Sequence, residues 1–351
     1  MKIFNKVKKW FGSFIKDPFF LYRWDWEHTH GYRRPPRTDN QLHENIYGGC
    51  SHDPYYLRSD THMLIEDLHT GVTPFLGLRR RNIDDPSFVF ADTIEHKKER
   101  IVINGISGRE RGFDITEVCL EFIRETTKQL MAYGVVYYEL VYELEASGDV
   151  KSFSLESIPS GYLIKFFNNY YQVIPWWVAS GANTKVGIIK IPADKVLRIK
   201  FPKNLGGKRE LKRILSRLYK ISSEPLPSFT MESMKKNEDT GFDTNEYSKN
   251  KYLETARLTK IFGWNQRART NSYATEYYYF KRYLDSEMSH IIFREHILNK
   301  LNDFLNGPIV KMTNKIEMRG FVTREELTSW KERMQQGGIK LIDMFNSLKD
   351  R

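Results

Sequence analysis

Cysteine is nearly missing from this chain: Cys50 and Cys119 are the two examples among 351 residues. That number excludes a disulfide framework, and the spacing fits no zinc pattern, so a reducing compartment is the simplest expectation. Long apolar runs are missing as well, and no stretch approaches the roughly 18 residues that a membrane span needs. The first residues carry charge but no apolar stretch followed by a small-residue cleavage site, so a secretory signal is not expected. Nucleophile elbows, phosphate loops, H-E-x-x-H, kinase signatures and paired carboxylates in an apolar frame are all absent from the sequence. The glycine-rich stretch GISGRERG, from Gly105 to Gly112, lacks the P-loop lysine and the dinucleotide spacing, and reads as a polar turn before a helix. No catalytic residue, metal site or cofactor is assigned, and an enzyme is not expected.

Aromatic residues are plentiful, with 22 Phe, 20 Tyr and 7 Trp, and hydrophobic residues make up 40% of the chain. Such a sequence can bury a core, so wholesale disorder is excluded. Lys and Arg number 55 against 44 Asp and Glu, a formal net charge of +11. An excess of this size points to a polyanion nearby, either nucleic acid or an anionic membrane. Most of it is concentrated between Lys195 and Lys220, where ten bases face a single acid, Glu210.

Along the chain, MKIFNKVKKWFGSFIK (1–16) has apolar residues at helical spacing and lysines elsewhere. It reads as an amphipathic helix docked on the protein or a neighbour, with a membrane-surface helix as the sharper alternative. Residues 17–60 read as an irregular arm. His28 and His30 lie there beside Asp25 and Glu27, a weak pattern for a metal. Asp114-Ile115-Thr116-Glu117 has the form of a capping box, and Gly134 a C′ glycine, so a helix is expected between them. VVYYELVYELE then alternates as a half-buried strand does, and Ser147-Gly148-Asp149 turns the chain into a second strand. A hairpin is expected across Asn168-Asn169, with short strands at Ile188–Ile191 and Val196–Phe201.

Residues 207–221 form an amphipathic helix with Leu211, Ile214, Leu215 and Leu218 inward. Residues 222–250 are acidic, poor in apolar groups and broken by Pro225 and Pro227; they read as a solvated linker. Between Trp264 and Asn306 there is neither Gly nor Pro, and an apolar seam predicts one long helix reaching ~65 Å. His290 and His296 fall on different faces of it. A strand through Ile309–Met312 is expected next, then a helix opened by the capping box at Thr323–Glu326 and running to Gly337-Gly338. The fold class expected is α+β: a helix, an antiparallel β region over 134–201, and a long helix over about 264–306.

The order of these pieces resembles the portal (head–tail connector) proteins of tailed bacteriophages. There a helix leads to a G-N-A-Y-x-E strand, then G-x-V-x-x-L-x-x-I-P, then a strand closed by I-P-x-x-x-V-x-H-I-K. Here Gly134–Glu139 (GVVYYE) stands for the first motif and Ile191–Lys200 (IPADKVLRIK) for the last, around DVKSFSLESIP and NNYYQVIP. Further on, FLNGPIVKM and FVTREELTSWKERMQQGG look like the family's F-x-N-G-x-x-P and L-T-x-E-E-L-x-x-L-K passage, and MKIFNKVKKWFG looks like a portal start. Val135 replaces Asn, Arg198 replaces His, and Leu205-Gly206-Gly207 stands where a G-x-S-P turn is usual.

The resemblance implies a portal-like fold: an arm over 1–60, an α+β wing-like domain over 61–206, a stem- or clip-like helix with the acidic linker over 207–263, and the long helix with a C-terminal helical region over 264–351. It implies a ring, typically of twelve copies, at one capsid vertex of the virion, assembled in the host cytoplasm. DNA would pass through it during packaging and ejection. Its partners would be the chain itself, double-stranded DNA, the major capsid protein, terminase, and tail or adaptor proteins. Lys208, Arg209, Lys212, Arg213, Arg217 and Lys220 are the candidates for DNA or subunit contact. The alternative is a soluble nucleic-acid-binding protein using 195–220 as its footprint.

Overall fold

The computed structural model describes residues 60–73, 87–92, 94–107, 114–158, 160, 163–174, 187–223, 244–264, 276–340 and 342–343. Residues 1–16, expected as an amphipathic helix, the His28/His30 cluster and Cys50 lie outside them. The architecture is α+β, with helices against one face of a three-stranded sheet and a second three-stranded sheet against the other.

Helix α1 (Asp60–Gly71) precedes strand β1 (Ser87–Phe90) and helix α2 (His96–Ser107). Gly105, read above as part of a turn, belongs to α2 instead. A Cβ there would stand 2.2 Å from the Phe153 ring, so the glycine lets that ring pack flat on the helix. Helix α3 (Ile115–Tyr133) begins as expected: the Asp114 carboxylate accepts the Glu117 amide at 2.8 Å. It ends at Gly134, whose φ of 70° and N–H to the Leu130 carbonyl form the left-handed cap.

Strand β2 (Val135–Leu144) pairs antiparallel with β3 (Val150–Ile158) and with β7 (Val196–Lys200), giving the order β3-β2-β7. The second sheet has the order β4-β5-β6, from β4 (Leu163–Phe166), β5 (Asn169–Ile174) and β6 (Gly187–Pro192). Its β4–β5 turn is Phe167-Asn168, one residue earlier than expected, because Phe166 is already paired with Asn169. Phe167 takes a φ of 51°, in the left-handed region, at the first turn position.

The alternation in β2 suggested one wet face, but its first six residues are all buried. Val136, Tyr138 and Leu140 enter the main core with α3, whereas Val135 and Tyr137 meet Leu163, Tyr170 and Ile191 of the second sheet. Thr126 of α3 reaches the Tyr138 hydroxyl at 2.8 Å inside this core.

Helix α4 (Gly207–Ser223) buries Leu211, Ile214, Leu215 and Leu218 as the spacing predicts. Residues 244–250, expected in a solvated linker, are instead the first half of helix α5 (Thr244–Leu258). Polar groups offset the shortage of apolar ones: Glu254 pairs with Arg217 of α4, and Lys251 with Asp60 of α1. The long helix is α6 (Glu276–Leu305), 30 residues or ~45 Å. Trp264, expected as its first residue, instead follows a short 3-10 turn at Lys260–Phe262 and Gly263 in the left-handed region, and residues 265–275 lie outside the described ones. Ile309–Met312 is turn and coil rather than strand. The strand comes later as β8 (Ile316–Arg319), antiparallel to β1. Asn302 of α6 fastens it by donating to the Ile316 carbonyl at 2.9 Å and accepting its N–H at 3.0 Å. Helix α7 (Arg324–Gln335) carries both halves of the Thr323/Glu326 capping box.

Gly263 is where the α5 end meets α6. A Cβ there would fall 2.2 Å from the Ser286 amide and 2.4 Å from the Arg282 carbonyl, and its φ is +62°. Beside it the buried Arg282 guanidinium donates to the Ala256 carbonyl at 3.2 Å, the Thr259 hydroxyl at 3.2 Å and the Trp264 carbonyl. Burial holds the Arg282 pKa below its usual value. Gly263→Ala should therefore destabilise the fold by about 3 kcal/mol, from backbone strain and overpacking together. Gly148→Ala, at φ +87° with open space around it, should lose only about 1 kcal/mol. Urea unfolding of both variants checks this, and equal losses would contradict it.

His296 joins α6 to the sheet by donating from Nε2 to the Lys200 carbonyl at 2.8 Å. Desolvation lowers its pKa below the ordinary 6.5, outweighing that hydrogen bond. The unfolded chain then binds the proton more readily, so stability should fall as pH drops below about 6.5. In His296→Gln this part of the acid dependence should vanish in melts taken between pH 7 and 5. An unchanged profile would contradict the assignment.

Candidate functional site

The first and last motifs, 57 positions apart from Gly134 to Ile191 in the sequence, are neighbours in the fold. Val135 pairs with Lys200 and Glu139 with Val196, and the Phe201 amide closes the ladder onto the Gly134 carbonyl at 3.0 Å. Arg198, where the family pattern has His, lies directly across from Tyr137. Its guanidinium sits over the Tyr137 ring at 5.7 Å, a planar cation on an aromatic face. Burial pushes the Tyr137 hydroxyl pKa up, with Arg198 opposing the shift. The chain between these strands returns through β3 and the second sheet.

Immediately after β7 the chain enters α4, which carries the six candidate cations. All six are exposed along its outer side, because the four inward leucine and isoleucine positions take up the opposite face. They are not equivalent. Arg213 grips Glu210 through two hydrogen bonds, at 2.8 and 2.5 Å. This pairing holds the Glu210 carboxyl below the usual range. Arg217 pairs with Glu254 of α5 at 3.5 Å. The Lys208 stem lies over Gly134, where a Cβ would stand 2.6 Å from its Cγ. Arg209, Lys212 and Lys220 have no carboxylate within ion-pair distance among the described residues. Sequence reasoning found the basic helix but missed which charges are already paired. The Glu210–Arg213 spacing of three was the visible signal for one pair, whereas the Arg217–Glu254 pair needed the fold.

Next to this helix lies a cleft of about 580 Å³, bounded by the start of α4, the end of α5, α6 and α7. Lys260 and Lys281 belong to its wall and were not singled out by the sequence. Their partners there come from segments far apart in the chain. Among the described residues no group of three His, Cys, Asp or Glu side chains is placed to hold a metal ion. No helix there is long and apolar enough to cross a membrane. Cys119 is buried, and desolvation pushes its thiol pKa far up, the setting of an inert core thiol.

No protein-family description matches the sequence, and no curated protein matches it. Among solved structures the chain is similar to the crystal structure of an HK97 family phage portal protein from Corynebacterium diphtheriae. Identity is 11%, the TM-score is 0.38, and the match covers 76% of this chain and 94% of that one. At that level the likeness is distant and carries no weight of its own.

Proposed function

We propose that this chain is a portal (head–tail connector) protein of a tailed bacteriophage, a structural ring subunit at one capsid vertex through which DNA is packaged and ejected. The observation that supports it most is the pairing of Val135–Glu139 with Val196–Lys200 as adjacent strands behind α3, with Ile191-Pro192 closing β6 of the second sheet just before. The first pattern and the second half of the last one, which resemble one family's motifs, thus fall in one sheet, in the order that family has them. The FLNGP passage ends the long helix, and the capping box of the later passage opens α7.

In this reading the ring has about twelve copies, residues 61–206 supply the wing, 207–263 the stem- or clip-like part, and 264–351 the long helix with its C-terminal region. Residues 1–60 are an arm. The unpaired cations of α4 face a polyanion or a neighbouring subunit. DNA has to slide past a portal, so contacts to it should be few, exchangeable and salt-sensitive. Terminase, the major capsid protein and tail or adaptor proteins are the partners outside the ring.

Native mass and negative-stain images of the purified full chain test the assembly. A closed ring is the expected result, and a monomer at all concentrations contradicts the proposal and favours a simple nucleic-acid-binding protein. The role of α4 is tested by reversing Arg209, Lys212 and Lys220 together to Glu. These three make no ion pair within the described residues, so the circular dichroism spectrum and melting temperature should stay close to wild type. Ring assembly or DNA packaging should drop at least about tenfold, the scale on which several phosphate or partner contacts act together. Normal assembly and packaging by this variant would show that the basic face is merely solvated.

A further inference from the structure

The cleft beside α4 holds more positive charge than it neutralises. Five cations line it, and two of them are paired with the two acids of the lining: Arg213 with Glu210, and Lys331 with Asp285 at 2.8 Å. Arg257, Lys260 and Lys281 remain, with no carboxylate within ion-pair distance among the described residues. The rest of the lining mixes five apolar side chains, Leu205, Leu258, Ile261, Met288 and Ile292, with Asn204, Ser289 and Gln335. Three cations beside apolar side chains suit a ligand that carries both carboxylates and large apolar side chains. A nucleic-acid backbone offers phosphates but nothing for those apolar side chains.

The chain contains a segment of this chemistry. Residues 224–243 read EPLPSFTMESMKKNEDTGFD, with Glu224, Glu232, Glu238, Asp239 and Asp243 against Lys235 and Lys236. Apolar residues are interspersed, and Phe242 sits inside the acidic end. We infer that the acidic end of this segment, from Glu238 to Asp243, docks into the Arg257–Lys260–Lys281 cleft of a second copy of the chain. The inference rests on the ring reading only in requiring copies to meet.

Tether length argues for a second copy. Helices α4 and α5 run antiparallel: Arg217 meets Glu254, and Arg213 lines the same cleft as Arg257. The segment joins them at the far end, since it leaves α4 at Ser223 and enters α5 at Thr244. From Thr244 to Arg257 is about 20 Å along α5. Fully extended, a chain gains at most about 3.6 Å per residue, so Asp243 and Phe242 fall far short of their own cleft and Asp239 barely nears it. In cis the segment reaches only as far as about Glu238, and that part contains Lys235 and Lys236. Phe242 and Asp243 can therefore enter a cleft of this kind only in trans, so the acidic end can seat there as a whole only in a second copy, which makes a head-to-tail contact that a closed ring can repeat.

The test reverses each side in the full chain. Arg257→Glu with Lys260→Glu and Lys281→Glu should weaken self-association at least about tenfold, and so should Glu238→Lys with Asp239→Lys and Asp243→Lys. Combining both sets should restore association to within about threefold of wild type, as a charge swap across one contact does. A labelled peptide of residues 234–245 should bind the wild-type chain saturably and the cleft variant at least about tenfold more weakly. Mixing a Lys281→Cys chain with a Phe242→Cys chain should give a disulfide between the two chains under oxidation. If rings form and both charge variants associate like wild type, the inference fails while the ring reading stands. If no ring forms, the ring reading fails, and the peptide titration decides the occupant: equal binding to wild type and cleft variant overturns it. A cross-link confined to one chain carrying both cysteines, or a cleft that prefers duplex DNA to the peptide, also overturns it.

Discussion

Strand β2 has no wet face along its first six residues, and the rest of the molecule is arranged around that constraint. With a side-chain period of two, Val136, Tyr138 and Leu140 belong to the helical core, and Val135 and Tyr137 to the smaller core under the second sheet. A slip of one residue would exchange the two sets and leave Tyr138 without Thr126. The register is fixed from both ends of the motif. Gly134 turns the chain out of α3 in a left-handed conformation, and its carbonyl accepts the Phe201 amide. The glycine is needed twice over, since the Lys208 stem of α4 occupies the space a Cβ would take. One residue thus couples the leading helix, the central strand, the closing strand and the start of the basic helix.

Local signals were legible where they were strong and self-contained. The Asp114 cap, the Gly134 cap, the Thr323/Glu326 box and the inward face of α4 are each written within a few residues, and each is found in the fold. Helix α5 was not legible over 244–250, because its burial is largely polar. Thr255 and Thr259 are buried there with Ala256 and Leu258, and the helix is held by ion pairs to α1 and α4. Strand β8 was missed for the same kind of reason. Ile316 and Met318 make a strand only because β1, more than 220 positions earlier, pairs with them and Asn302 holds Ile316. Ile309–Met312 looked more strand-like, but it follows Gly307-Pro308 closely. There the Lys311 amide closes a turn on the Gly307 carbonyl, and Lys311 itself takes a φ of 53°. The double burial of β2 was hidden because Tyr137 and Glu139, on the face taken as wet, are as polar as residues that face water.

The charge of the chain was visible as a total, but its division required the fold. Four of the ten bases between Lys195 and Lys220 are accounted for by intramolecular contacts. Arg198 lies over Tyr137, Lys195 over the Tyr142 ring at 4.8 Å, and Arg213 and Arg217 pair with acids. Of the six candidate cations, Arg213 and Arg217 meet acids, the Lys208 stem covers Gly134, and Arg209, Lys212 and Lys220 meet no carboxylate among the described residues. The cleft shows a similar remainder of three. Sequence counting overstated the first set and gave no hint of the second, because Arg257, Lys260 and Lys281 are spread over two helices and a turn.

These two sets of cations have different shapes, and shape decides what each can hold. Arg209, Lys212 and Lys220 stand on the convex outer side of one helix, with no apolar surface between them. Such a surface meets a polyanion through long, hydrated side chains, and the attraction weakens as salt screens it. That suits DNA in motion, where tight seating would oppose transport. Arg257, Lys260 and Lys281 line a recess that also holds Leu205, Leu258, Ile261, Met288 and Ile292. Burial of apolar groups there is insensitive to screening. In the proposed ring such a contact would persist while DNA moves. On that proposal, raising salt should release DNA from the α4 face at concentrations where subunit contacts through the cleft are still largely intact. Parallel salt titrations of DNA binding and of ring mass on the same preparation separate the two. Coincident transitions would mean that both depend on one screened surface, and the distinction between ridge and cleft would then be lost.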